Sequence, residues 1–299
     1  MRDNICILIP TLNEAHTIGE VVHKFKSMGF PKILVIDGHS TDDTVKIARE
    51  KGAKVVIQKG RGKGQAIQQA FELIEEDIIV MIDGDGTYLP EEVDKLLESI
   101  EKGTADHVIG NRFAEPKVGA FTKLNLFGNQ ILSRSFGFAY GTWITDILSG
   151  YRAFTKKSIQ ELELNKTGFE TEAEITIESV KKGLRMVEVP ISYRSRHERA
   201  ATKLHPLKDG LKIGFTIYKL TKTHNPLLYF GLFGAVFMVL GACVGIYVVL
   251  EWFKGITRIP MTILATLLIV MGVQMFIFGL LSDILSLFHK EVMRELRRK

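Results

Sequence analysis

Cysteine is almost absent: the 299 residues hold two, Cys6 and Cys243. That excludes a disulfide scaffold. Cys6 lies in a strand-like apolar run and Cys243 in a membrane-like one, so the two are not expected to meet. Net charge is small, 39 Lys+Arg against 34 Asp+Glu, or +5. With 46% hydrophobic and 24% charged residues, wholesale disorder is excluded. A secretory signal pattern is lacking, because MRDNICILIP carries Asp3 and Asn4 and its apolar run is short. There is no fixed-period repeat and no low-complexity tract. A P-loop is lacking too: Gly60-Arg61-Gly62-Lys63-Gly64 is followed by Gln65, not by the required Lys-Ser/Thr spacing. Either a plain turn remains there, or a basic turn at a helix N-terminus whose Lys63 touches a nucleotide.

What hydrophobicity there is sits unevenly. Mean hydropathy is +0.12, and the last quarter of the chain carries most of it. Residues 227–250 and 261–282 contain no charge, and each exceeds the roughly 20 helical residues that span a bilayer core. The linker 251–260 ends in Pro260, so the two spans form an antiparallel hairpin within 226–288. Ten basic residues flank the hairpin: Lys203, Lys208, Lys212, Lys219 and Lys222 before it, and Lys290, Arg294, Arg297, Arg298 and Lys299 in the tail 289–299. The linker has two, Lys254 and Arg258. This asymmetry puts both termini and the N-terminal region on the cytoplasmic side of the cell membrane. The lysines of 206–225 also suit anionic headgroups.

Residues 1–110 alternate two periods. Apolar strand runs at 5–10, 32–37, 54–58, 77–83 and 107–110 are separated by helical stretches near 14–28, 41–51, 64–76 and 90–101. This is an α/β unit with a largely parallel sheet. Ligands of such sheets bind beyond the carboxyl ends of the strands. Polar clusters sit at those ends: Thr-Leu-Asn-Glu after the first strand, Asp-Gly-His-Ser-Thr-Asp after the second, Asp-Gly-Asp-Gly after the fourth and Asn-Arg after the fifth.

Asp83-Gly84-Asp85 is the sharpest of these. It reads either as an acidic turn or as the one or two carboxylates that Mg²⁺ takes alongside phosphate oxygens. Segment 193–199 (Tyr193, Arg194, Ser195, Arg196, His197, Glu198, Arg199), followed by Lys203, is basic. It suits bidentate phosphate binding or membrane-surface attraction. Segment 117–140 reads as an amphipathic helix lying on the bilayer, or as an ordinary core-facing helix. Asp146, Arg152, Glu172 and Glu174 stand in polar clusters in apolar surroundings. At a spacing of two, Glu170, Glu172 and Glu174 are expected to spread around a helix surface, so that not all can face one site.

Taken in order, IPTLNEAHTIGEVV, VIDGHSTDDT, IDGDGTYLPEEV, VIGNRF, DILSGYRAF and GFETEAEITIESVKKGLRMVEVPISYR resemble family 2 GT-A glycosyltransferases of the dolichyl-phosphate mannose synthase type. The likeness covers about residues 4–205. Within that group the chain looks most like archaeal dolichyl-phosphate sugar transferases of surface-layer N-glycosylation. The resemblance implies a Rossmann-like GT-A catalytic domain, residues 1–205, ahead of the hairpin. It implies inverting transfer of a sugar from a nucleotide sugar to dolichyl phosphate at the lipid bilayer, with Mg²⁺ or Mn²⁺ as cofactor and no nucleic-acid partner. By position, Pro10, Thr11, Asn13, Glu14, Asp37, Lys63, Asp83, Gly84 and Asp85 would bind the nucleotide sugar. Asp85 would be the main metal ligand, with Asp83 beside it. Arg112, Lys123, Asn129, Arg194, Arg196 and Lys203 would meet the acceptor phosphate, with Asp85, Arg112, Arg194 and Arg196 carrying the chemistry.

Two departures stand out. Asp37-Gly38-His39-Ser40 replaces the usual Asp-Asp-Gly-Ser. Thr87 stands where the mannose enzymes carry a metal-binding Gln. These favour UDP-N-acetylglucosamine as donor, then UDP-glucose, over GDP-mannose. The Gln-x-x-Arg-Trp motif of processive synthases is absent, so one sugar per turnover is expected. Undecaprenyl phosphate is the rival acceptor, and a non-catalytic nucleotide-sensing membrane adaptor is the rival class.

Overall fold

A computed structural model describes residues 2–116, 123–165, 171–194 and 226–296. Its first unit, Met1–Ile217, is built on strands β1 (Ile5–Thr11), β2 (Lys32–Asp37), β3 (Lys54–Ile57), β4 (Ile78–Met81), β5 (His107–Pro116), β6 (Arg152–Thr155) and β7 (Met186–Tyr193). They form one seven-stranded sheet in the order β3-β2-β1-β4-β6-β5-β7. Pairing is parallel except at β6, which runs antiparallel to β4 and β5. Strands β1 and β4 are buried along their whole length, which is why they read as unbroken apolar runs and not as alternating ones.

Helices α1 (Ile18–Ser27), α2 (Thr44–Glu50), α3 (Lys63–Leu73), α4 (Val93–Glu101), α5 (Lys123–Tyr140), α6 (Lys156–Glu161) and α7 (Thr171–Lys181) complete this unit. The two-residue period of β1 separates two cores. Ile5, Ile7 and Ile9 pack with Val22 and Phe25 of α1 and Leu96 and Leu97 of α4. Cys6 and Leu8 pack on the other face with Ala66, Ile67 and Ala70 of α3, Phe154 of β6 and Ile175 of α7. Burial pushes the Cys6 thiol up to about 12, and both cysteines are free.

The structure departs from the sequence pattern in several places. Helix α1 starts at Ile18, not near Glu14, because the Glu14 and Ala15 amides donate to Thr44 Oγ1 (2.8 Å) and Asp42 Oδ2 (3.2 Å). Strand β5 runs on to Pro116. Helix α5 begins at Lys123; the expected segment's first residues, 117–122, lie outside the described ones. Helix α7 corrects the expectation that Glu172 and Glu174 spread over a surface. Every residue from Thr171 to Ser179 is buried, since α7 packs Ile175 into the core and its polar side chains find partners there. Glu170 lies outside the described residues.

The second unit, Tyr218–Lys299, contains α8 (Pro226–Phe253) and α9 (Ile259–Leu296). Both are long and apolar enough to cross a membrane. They meet through glycines. A Cβ added at Gly234 would lie 2.6 Å from the Gly272 carbonyl, and one at Gly241 3.0 Å from that of Ala265. Only small residues allow backbones to approach this closely. At the end of α8, Glu251 pairs with Lys254 (3.2 Å) and Arg258 (3.1 Å) of the connection to α9. Helix α9 continues to Leu296, past the expected end of the span.

Candidate active site

The carboxyl ends of β1, β2, β3, β4, β5 and β7 share one edge of the sheet, and β6 enters from that same edge at Arg152. Beyond Met81 the ladder gives one more bond, Ile82 N–H to the Leu8 carbonyl at 3.0 Å. The chain then turns at Gly84. A Cβ there would lie 2.7 Å from Thr11 Cγ2, so only glycine lets this turn close on β1. Thr17 Oγ1 donates to the Gly84 carbonyl at 2.7 Å and pins the turn.

Asp83 and Asp85 leave this turn in different company. Asp83 Oδ1 accepts from Lys63 Nζ at 2.6 Å, and its other oxygen packs on bare Gly150, where a Cβ would come within 2.4 Å. Asp85 Oδ1 accepts from the Thr87 amide (3.1 Å) and hydroxyl (2.6 Å). Lys63, the first residue of α3, also reaches Glu172 of α7 at 2.5 Å. Burial opposes its charge, but Asp83 and Glu172 outweigh burial and hold its pKa above the ordinary value. Lys63 and Glu172 thus join the aspartate turn. Glu174 turns elsewhere and accepts from the Asn165 amide at 3.0 Å.

Across the edge, Arg112 at β5 is clamped by Asp146. Nε and Nη2 donate to its two oxygens at 2.7 Å each, a bidentate geometry that fixes the guanidinium plane. The Tyr193 ring lies 5.3 Å from the guanidinium carbon. Burial disfavours the charge, and Asp146 overrides it, raising the Arg112 pKa well above its ordinary value. Glu188 of β7 accepts from the Thr145 and Asp146 amides at 2.9 Å, so Asp146 is itself held.

Arg152 supports this loop from beneath. It is wholly buried and donates to the carbonyls of Ser149 (2.7 Å) and Ile147 (2.8 Å) and to Thr176 Oγ1 (2.8 Å). Burial lowers its pKa to about 10, so it remains charged at neutral pH. It also meets His107 Nε2 at 3.3 Å, while His107 Nδ1 lies 2.9 Å from Ser179 Oγ. Arg152 can only donate, so Nε2 accepts and Nδ1 carries the hydrogen. Burial first, and Arg152 second, push the His107 pKa well down.

The expected residues fall into four groups. Pro10, Thr11, Asn13, Glu14, Asp37, Lys63, Asp83, Gly84, Asp85, Arg112, Asp146 and Arg152 line or underlie this edge. Arg194 follows β7, its amide donating to the Thr87 carbonyl at 2.9 Å, so the end of β7 abuts the aspartate turn. Asn129 of α5 is buried and donates to the Thr145 carbonyl at 2.8 Å. The Lys123 side chain, Arg196 and Lys203 lie outside what is described. Sequence reasoning missed Tyr88, whose hydroxyl accepts from the Gly150 amide at 2.8 Å, as well as Glu188, and named Tyr193 only as the start of a basic segment, not for its ring beside Arg112. Only the position of Tyr88, three residues after Asp85, could have signalled it.

The donor set can be tested against a metal. Among the described residues, no cluster of three or more His, Cys, Asp or Glu side chains is placed to hold an ion. Two carboxylates on one turn do not suit a closed four-ligand zinc site. They fit a hard cation that completes its shell with water and phosphate oxygens.

Comparison with known proteins agrees with this geometry. Residues 6–162 match the model of the family described as Glycosyl transferase family 2. Glycosyltransferase AglJ of Haloferax volcanii is 42% identical over 98% of this chain and 97% of that protein. The dolichyl-phosphate hexose transferase of the same organism is 34% identical over 73% of this chain and 93% of its own length. The UDP-N-acetylglucosamine–dolichyl-phosphate N-acetylglucosaminyltransferase of Methanococcus voltae is 30% identical over 62% and 84%. Glucosyl-3-phosphoglycerate synthase of Mycobacterium tuberculosis, solved with Mn²⁺, UDP-glucose and phosphoglyceric acid, superposes with a TM-score of 0.60 at 22% identity, covering 73% of this chain and 79% of that one. That likeness is one of fold.

Proposed function

The chain belongs to glycosyl transferase family 2, and we propose that it moves one sugar from a nucleotide sugar to dolichyl phosphate, with inversion and with Mg²⁺ or Mn²⁺. The observation that carries this reading is the convergence on one sheet edge of the Asp83–Asp85 turn, Lys63, the clamped Arg112 and the end of β7 at Arg194. The relatives named for dolichyl-phosphate transfer support the acceptor.

The nucleophile is the lipid phosphate. Its second pKa is about 6, so at neutral pH it is already largely dianionic and needs no strong general base. The difficulty is charge: an anion must approach a sugar that carries a diphosphate. A divalent cation, when bound, supplies Lewis-acid stabilisation of the leaving diphosphate. Asp83 and Asp85 would hold it. Arg112, fixed by Asp146, and Arg194, with Arg196 and Lys203 beyond it, would offset and orient the acceptor charge. Thr87 donates to Asp85 and so orients that carboxylate. The lack of the mannose enzymes' Gln at Thr87, together with the Methanococcus voltae relative named for UDP-N-acetylglucosamine transfer, supports a donor other than GDP-mannose, with UDP-N-acetylglucosamine first and UDP-glucose second.

The two apolar helices anchor the enzyme where a polyprenyl phosphate resides, with both termini cytoplasmic. Helix α5 and the loop after it expose Ile131, Phe138 and Trp143, which suits an interfacial position. The test is a donor screen with dolichyl phosphate and Mg²⁺ or Mn²⁺. Sugar from the UDP donor should enter the organic-extractable lipid. Transfer only from GDP-mannose would refute the donor, and no lipid product from any donor would refute the acceptor.

A further inference from the structure

The buried face of α5 carries two polar residues. Asn129, Ser133 and Phe136 stand at the i, i+4 and i+7 spacing of one helical stripe, and all three are buried. Phe136 suits such a face, whereas Asn129 and Ser133 each need a partner there. Both find the same one. Asn129 Nδ2 and Ser133 Oγ donate to the Thr145 carbonyl, each at 2.8 Å, and so occupy its two lone pairs.

The chain doubles back to allow this. Just past Tyr140, Gly141 takes a φ of 70°, a conformation that favours glycine. The Trp143 ring then lies against bare Gly137, where a Cβ would come within 2.5 Å. Residues 143–145 therefore run back along α5.

From β7, Glu188 takes the other end of the same peptide group. Its Oε1 accepts from the Asp146 amide, and both of its oxygens accept from the Thr145 amide, at 2.9 Å each. The Thr145–Asp146 peptide is thus held at its carbonyl by α5 and at its N–H by β7. A peptide group is planar, so these bonds fix the plane from which the Asp146 side chain departs. Asp146 is fully buried, accepts from the Arg112 amide at 3.2 Å and grips Nε and Nη2 of the same arginine. In a bidentate fork the guanidinium turns with the carboxylate.

Asp146 already offsets the Arg112 cation, so what this arginine offers an anion is chiefly the direction of its N–H bonds. Asn129 suits support and not ligation. Its amide nitrogen is engaged by Thr145, and its Oδ1, buried without a hydrogen-bond partner among the described residues, would repel a phosphate. We propose that Glu188, Asn129 and Ser133 are positioning residues for the acceptor: through Asp146 they set the plane in which Arg112 meets the lipid phosphate. The assignment rests on the dolichyl-phosphate reading above.

The test is steady-state kinetics of the full chain in detergent, with dolichyl phosphate varied and the nucleotide sugar selected by the donor screen held saturating. Glu188→Gln keeps the shape but turns an NH₂ toward one of the amides. It should raise the KM for dolichyl phosphate about tenfold, the equivalent of about 1.4 kcal/mol, and leave the KM for the donor unchanged. Asn129→Ala and Ser133→Ala each leave the other donor in place and should raise it about threefold; they decide the matter should the Glu188 variant fail to fold. In an Arg112→Lys background, where an ammonium has no plane to set, the same substitutions should add less than about twofold. A lower kcat at unchanged KM for dolichyl phosphate, or equal effects in the two backgrounds, overturns the assignment and leaves the grip as scaffolding. Wild type that forms no lipid product from dolichyl phosphate overturns the acceptor reading itself, and the assignment with it.

Discussion

Replacing Lys63 by Met tests whether the ion-pair cluster beneath the aspartate turn is as closed as it looks. The side chain fits the space but removes the cation that Asp83 and Glu172 share. Taking one partner from a buried pair costs about 3–5 kcal/mol, because the remaining charge is stranded. Asp83 is 24% exposed on its side chain, so water takes up much of its loss. Glu172 is 4% exposed, and its Oε2 is buried without a hydrogen-bond partner. The low end of the range, about 3 kcal/mol, is therefore expected. For a unit of this size each kcal/mol moves Tm by about 2–4 °C, giving a drop of about 6–12 °C. Adding Glu172→Gln removes the stranded charge and should restore most of it. Thermal melts of wild type, Lys63→Met and the double variant in the same detergent decide the matter. A single variant within about 2 °C of wild type, or a double variant no better than the single, would refute the reasoning.

Three further outcomes are expected. Asp85→Asn keeps an acceptor for Thr87 but removes the charge that a hard cation wants, so kcat should fall about 10²-fold or more with Tm unchanged; near-wild-type turnover, or activity in excess EDTA, would contradict this. His107 is buried neutral, its folded pKa depressed by burial and then by Arg152. The unfolded chain binds a proton there below about pH 6.5, so this contribution to stability is full above that pH and is lost at up to about 1.4 kcal/mol per unit below it. Melting His107→Gln beside wild type from pH 7.5 to 5 should show the steeper loss in wild type, and equal slopes would sink the idea. A cysteine at Thr257, with Cys6 and Cys243 replaced, should react with an impermeant thiol reagent from outside the cell, whereas labelling only after permeabilisation would reverse the orientation.

Strands β1, β2, β4 and the start of β5 were legible because buried parallel strands are written as continuous apolar runs with polar residues at their ends, and the half-exposed edge strand β3 was legible from its two valines between turns. The acidic turn was legible for the same reason, as charge placed where such a run stops. Strand β6 is four residues long, and β7 is mostly half-buried and contains Pro190, so neither carries a clear period. The clamps were hidden because they join distant segments. Arg112 and Asp146 are 34 positions apart, and Glu172 read as a surface residue until α7 proved buried on all sides. His39 was visible only as a departure from Asp-Asp-Gly-Ser, since its positive φ and its bond to Gly60 depend on a loop that follows another strand.

The central claim is that the lipid phosphate itself attacks the sugar at this sheet edge. Mass and NMR spectra of the lipid product test it most directly, using an α-linked UDP-sugar and dolichyl phosphate as substrates. The expected product has one sugar joined through one phosphorus, with a β anomeric linkage. Two phosphorus atoms between sugar and lipid, or a retained α linkage, would contradict it.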